Sequence, residues 1–175
     1  MWTYLRQTSL LLLLIFPTLL YAKVGDVIEQ KGRTNIERGS DTFKEIEKEF
    51  DVESMDTVRT KDGRTAIQFI DETRVDVTEH SKLVIDDFVY DPNTKTGSLS
   101  LKASFGTIRY ASGQIAKNSR QNVKIKTPTA TVGVRGTDFS MSVDELGSST
   151  IVLLPSCNSN FVCVVGEISV ASEVG

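Results

Sequence analysis

Apolar and polar residues alternate with a period of two along most of the chain. Ile67 and Phe69 share a face in TAIQFID, and Val75 and Val77 extend the pattern through ETRVDVTEHSKLVIDDFVY. Ala130, Val132 and Val134 repeat it, followed by Phe139, Met141 and Val143. Successive side chains on a strand point to opposite faces, so such runs predict half-buried strands. VGDVIEQ, KGRTNIERG, DTVRT, SLSLKASFGTIRYASG, QNVKIKT and TIVLL complete the set, with turns such as DPNTKTG between them. Many short strands punctuated by Gly, Asp, Asn and Pro predict a single all-β domain, and spacing alone permits a β-sandwich. One segment departs from the pattern. In DTFKEIEKEF, residues 41–50, Phe43, Ile46 and Phe50 have helical spacing, which predicts one short helix there.

The first 22 residues follow a different rule. Arg6 is followed by LLLLLIFPTLL, residues 10–20, and then by the small residue Ala22. A positive start, an apolar stretch and a small residue make a secretory signal peptide over 1–22, with the mature domain at 23–175. The apolar stretch is about half the ~20 residues a spanning helix requires, so no membrane span is expected after cleavage. The mature protein is expected to be periplasmic or secreted.

Composition narrows the function. The chain has 175 residues, 39% hydrophobic and 25% charged, which suits one globular domain rather than a disordered one. Removing Arg6 from the 20 basic residues leaves 19 against 23 acidic, a net charge of −4. An acidic chain without a basic stripe argues against a nucleic-acid partner. The scattered Lys95, Lys117 and Arg120 read as solubilising loop charges.

Export gives the two cysteines a meaning. Cys157 and Cys163 flank a short turn in LLPSCNSNFVCVVG, and a disulfide across a hairpin tip is expected. Closing so small a ring stabilises by about 2–3 kcal/mol at most.

Catalytic inventory is sparse. His80 is the single histidine, and Ser81 beside it would point to the opposite strand face. Asp71, Glu72, Asp76, Glu79, Asp86, Asp87 and Asp91 form an acidic stretch without a calcium-loop pattern, and read as a solvated face. No cofactor, metal or catalytic residue is assigned.

TPTATVGVRGTDF, residues 127–139, is the most informative stretch. Gly133 and Gly136 bracket Arg135 between two strand patterns, so Arg135-Gly136 reads as a corner. An arginine fork carries five donors and can satisfy carbonyls that a corner leaves unpaired, with Asp138 to balance its charge. The rival reading is an exposed arginine that binds an anionic group on a partner.

Together, DTVRT (56–60), GRTAIQFIDETRV (63–75), SKLVIDDF (81–88), TPTATVGVRGTDF and GEISV (166–170) resemble the FecR domain over roughly residues 24–170. That resemblance implies a rolled or short solenoid-like β-sheet. It also implies an extracytoplasmic module of the kind that, in iron-citrate signalling regulators, senses a partner receptor. No counterpart of the regulators' cytoplasmic anti-sigma segment or transmembrane helix is expected in this sequence. Two positions depart from the family pattern: Met55 and Glu72 stand where glycines are usual. The resulting expectation is a non-enzymatic module that binds another envelope protein, by strand-edge pairing or a flat sheet face. The alternatives are an envelope carbohydrate or peptidoglycan binder, using Tyr90, Phe105 and Tyr110, and more remotely a glycan hydrolase.

Overall fold

The computed structural model describes residues 23–44, 46–119, 121–157 and 161–172. Residues 1–22, expected to be an export signal, and Asn158, Ser159 and Asn160, expected to form a turn, lie outside them.

The strands are β1 (Lys23–Lys31), β2 (Thr34–Arg38), β3 (Asp41–Phe43), β4 (Asp51–Glu53), β5 (Thr57–Thr60), β6 (Arg64–Phe69), β7 (Arg74–Val77), β8 (Lys82–Asp91) and β9 (Thr96–Ala111). After the short helix α1 (Gln114–Asn118) come β10 (Val123–Lys126), β11 (Ala130–Arg135), β12 (Asp138–Val143), β13 (Ser149–Leu154), β14 (Ser156–Cys157), β15 (Cys163–Val164) and β16 (Glu167–Ser172).

The long strand β9 organises the molecule. Its first half pairs with β8 and, in parallel, with β10, while its second half pairs with β7 and β12. One half of the sheet therefore runs β3-β2-β5-β8-β9-β10-β11-β16, and the other runs β4-β1-β6-β7-β9-β12-β13. The sheet is rolled about β9, so its two halves bury one apolar core. Ile36, Leu83, Leu101, Ile125 and Val132 come from the first half, and Val27, Ile67, Ile108, Tyr110, Phe139 and Met141 from the second. Phe69 and Phe88 stack across the roll with centroids 5.4 Å apart. The all-β, rolled-sheet expectation holds.

The bend is written in the side-chain phase of β9. Leu99, Leu101 and Ala103 are buried at odd positions, whereas Ile108 and Tyr110 are buried at even ones. A period-two strand changes phase only by inserting a residue. The register slips there: Lys82 faces Phe105 while Leu83 faces Ala103. Gly106 follows with φ +87°.

The helix expected over 41–50 is not formed. Asp41–Phe43 is a strand, and a turn at Lys48 and Glu49 leads into β4. Phe43 and Phe50 instead meet at 5.3 Å, with the Arg38 guanidinium 5.4 Å and 5.8 Å from the two ring centroids. The helical spacing thus reflects a loop wrapping its aromatics around a cation. The short helix forms at Gln114–Asn118, where buried Asp71 accepts hydrogen bonds from the backbone amide of Ile115 (3.2 Å) and from Thr73 Oγ1 (2.8 Å).

Met55 and Glu72 keep the conformation that glycine favours, with φ of +71° and +70°. A non-glycine residue in this region costs roughly 1–2 kcal/mol, of which glycine's greater unfolded-state freedom gives back about 0.5–1 kcal/mol. Met55→Gly is therefore expected to raise stability by about 0.5–1 kcal/mol in urea titrations. Glu72→Gly should gain less, because Glu72 Oε2 accepts a bond from Gln114 Nε2 at 2.7 Å.

The disulfide Cys157–Cys163 is present. The two cysteines face each other in a β14–β15 ladder that is separate from the main sheet. The strands on either side diverge: β13 joins β12 in one half, and β16 joins β11 in the other. The bridge therefore closes a peripheral tip, where Phe161 and Val164 are exposed. A crosslink that restrains a loop in both folded and unfolded states changes their difference little. Replacing both cysteines by serine should alter global stability by no more than about 1 kcal/mol, below the loop-entropy ceiling.

Candidate functional site

The corner at residues 135–138 carries the chain from one half of the roll to the other. β11 ends at Arg135 between β10 and β16, and β12 begins at Asp138 between β9 and β13. Gly136 takes φ +69°, which turns the chain between the halves. Thr137 is buried and holds the corner down. Its Oγ1 donates to the Glu167 carbonyl at 2.9 Å, and its own carbonyl accepts from Ser112 Oγ at 2.8 Å. Asp138 Oδ1 accepts from the Ser112 amide at 3.0 Å. Gly133 lies inside β11, opposite Lys124 on one side and Ser169 on the other.

Arg135 points outward. Its Nη1 meets Glu167 Oε1 at 3.1 Å, with the two side chains 39% and 70% exposed. The two residues are register partners across β11 and β16. This pair lines an open groove of about 580 Å³, together with Lys117, Gln121, Gly136 and Val165. Two cations and an amide converge there, with Glu167 as counter-charge. Such a surface can hold an anionic side chain or a backbone carbonyl through directed donors.

The other sequence candidates are dispersed. His80 is exposed on a turn, whereas Ser81 is buried and bonded to Glu79 and Thr107. Asp86 is held by Ser100 and Lys102, and Lys102 keeps its carboxyl below the ordinary range. Asp91 caps its own turn through the Asn93 amide at 2.9 Å and Thr94 Oγ1 at 3.0 Å. Among the described residues, no group of three or more His, Cys, Asp or Glu could hold a metal ion. The aromatic row considered for a glycan is not assembled on the surface. Tyr110 is fully buried, stacked on Phe139 at 5.2 Å, and burial pushes its phenol well above the usual range. Tyr90 is half-buried against the core.

A second cluster had no sequence signal of its own. Arg38 forms a bidentate pair with Asp56, Nε to Oδ1 and Nη2 to Oδ2, both at 2.8 Å. Its remaining donors reach Glu53 Oε1 at 2.6 Å and the Asp51 carbonyl at 2.9 Å. The Asp56 side chain is wholly buried and that of Arg38 is 21% exposed. This cluster ties β2 to β4 at the β3–β4 end of the roll.

The family model described as FecR protein matches residues 56–155, which is more than half of the chain. The chain belongs to the FecR family. No curated protein and no solved structure matches it. The FecR match runs from the buried Asp56 through β13, and so includes the β9 bend and the Arg135 corner. Strands β1 to β4, the disulfide hairpin and β16 lie outside it. The groove beside Arg135 thus combines FecR-matched residues with the later segment Val165–Glu167.

Proposed function

We propose that this FecR protein is an exported, non-enzymatic sensor or binding module of the cell envelope, and that its partner is a protein. The FecR match over residues 56–155 carries this reading, because such domains suggest sensing and regulatory modules. The disulfide fits an oxidising compartment. No helix among the described residues is long and apolar enough to cross a membrane. Residues 1–22 serve as the export signal, and the mature domain begins near Lys23.

The contact is placed at the corner groove. Arg135 is half-exposed and pairs with a carboxylate, that of Glu167, which is itself mostly in water. Exposed pairs of this kind contribute about 0–1 kcal/mol, so folding alone makes little use of the arginine. A partner carboxylate could displace Glu167 and gain the bidentate fork.

Crosslinking in the intact envelope, followed by partner identification, tests the reading. The expected result is a specific envelope protein whose capture by the Arg135→Ala variant falls at least tenfold, while stability changes by no more than about 1 kcal/mol. Retention on glycans without protein capture, or turnover of a substrate by the purified protein, would overturn it.

A further inference from the structure

The two ends of the roll are finished differently. At one end the edge strands β3 and β4 have three residues each and carry Asp41, Asp51 and Glu53. The Arg38 cluster and the Phe43–Phe50 pair close that end. Short, charged edges resist pairing with another chain. At the other end β13 has six residues, STIVLL, with no charge and no proline. It pairs with β12 alone and in unbroken register. Its outward Val152 is 55% exposed, and Ile151 and Leu153 are half-buried against the core. Among the described residues, no charge, proline or bulge within β13 itself discourages strand addition.

The surroundings say what can approach it. Residues 148–166 include no Asp, Glu, Lys or Arg, in a chain where 25% of residues are charged. Two copies of an acidic protein repel wherever their charged surfaces meet. An uncharged strip is where that repulsion is weakest. The strand is also self-complementary. Antiparallel pairing about a two-fold axis at Val152 sets Val152 against Val152 of the second copy and Ile151 against Leu153. Thr150 then meets Leu154. Each pair keeps its residues on the same face, as a continuous sheet requires. Ile151 and Leu153 would then be covered by each other across the axis.

We infer that β13 is the interface of a homodimer, in which a second copy adds its own β13 antiparallel to extend the sheet through a two-fold axis. This goes beyond the partner reading above and does not depend on the corner groove.

Light scattering on the purified, disulfide-intact protein over a wide concentration range should give twice the chain mass at the upper end. Val152→Glu places two carboxylates face to face at the axis and should raise the dimer dissociation constant at least about tenfold with an unchanged circular dichroism spectrum. Thr150→Glu, at a second exposed position on the strand, should weaken it in the same direction. Val152→Cys should form a symmetric intermolecular disulfide on mild oxidation, whereas Val170→Cys on the β16 edge should not. A monomer at every concentration overturns the inference, whether or not another protein occupies the strand. So does a dimer indifferent to both glutamates, or one crosslinked through Val170→Cys instead.

Discussion

Replacing Arg38 by alanine is expected to cost about 3–5 kcal/mol, because it strands a buried carboxylate rather than merely deleting a contact. Asp56 is wholly buried and its two oxygens are both engaged by the Arg38 fork. Asp56 Oδ2 also accepts from the Glu53 amide at 2.9 Å, but one amide cannot neutralise the charge. Glu53 lies beside it, 15% exposed, with its Oε2 buried and without a hydrogen bond. Without the arginine, two acids share a poorly hydrated site. The Phe43 and Phe50 rings also lose the cation against which they pack. At roughly 2–4 °C per kcal/mol for a chain of this size, the melting temperature should fall by about 6–20 °C. Arg38→Lys should fall between wild type and alanine, since it keeps the charge and loses the planar fork. Calorimetry showing Arg38→Ala within about 1 kcal/mol of wild type would mean that the cluster is hydrated far better than its burial indicates.

Arg38 and Arg135 show where the sequence could be read and where it could not. Arg135 was conspicuous because two glycines flank it within a clear alternation, and its place between two strand runs was visible in the local pattern. Its partner was not, because Glu167 lies thirty-two residues away on a strand that reaches β11 only through the roll. Arg38 had no flanking signal, and its partners Glu53 and Asp56 are separated from it by a loop. That loop's aromatic spacing imitates a helix. A 3.6-residue pattern needs only three apolar residues to be satisfied over one short segment, and a wrapping loop supplies them equally well. The all-β class was legible because alternation repeats over many strands, so a local error does not accumulate. The groove was not legible, because it forms where α1, the corner and the segment before β16 converge from distant parts of the chain.

The other large effect is expected at Gly106, where the roll itself is made. Its φ of +87° lies in the region that favours glycine, so alanine costs roughly 1–2 kcal/mol for conformation alone. Space adds to this. A methyl group there would meet Ser81 Oγ and would lie 2.5 Å from Ser81 Cα. Ser81 cannot retreat. Its Oγ accepts from the Thr107 amide at 2.9 Å, its amide donates to Thr60 Oγ1 at 3.0 Å, and its carbonyl accepts from the Thr60 amide at 3.0 Å. Overpacking a fixed site adds about 1–3 kcal/mol, giving roughly 2–5 kcal/mol for Gly106→Ala when the conformational cost is included. Ser81→Gly in the same chain should not rescue it, since the overlap with the Ser81 Cα remains and the Thr107 amide loses its acceptor. The test separates two accounts of the bend. If Gly106 is tolerant because any flexible residue would serve, urea midpoints for Gly106→Ala will match wild type. If the phase change in β9 requires this backbone against this serine, the variant will lose cooperative stability, because Leu99 to Ala103 and Ile108 to Tyr110 can then no longer face the same core.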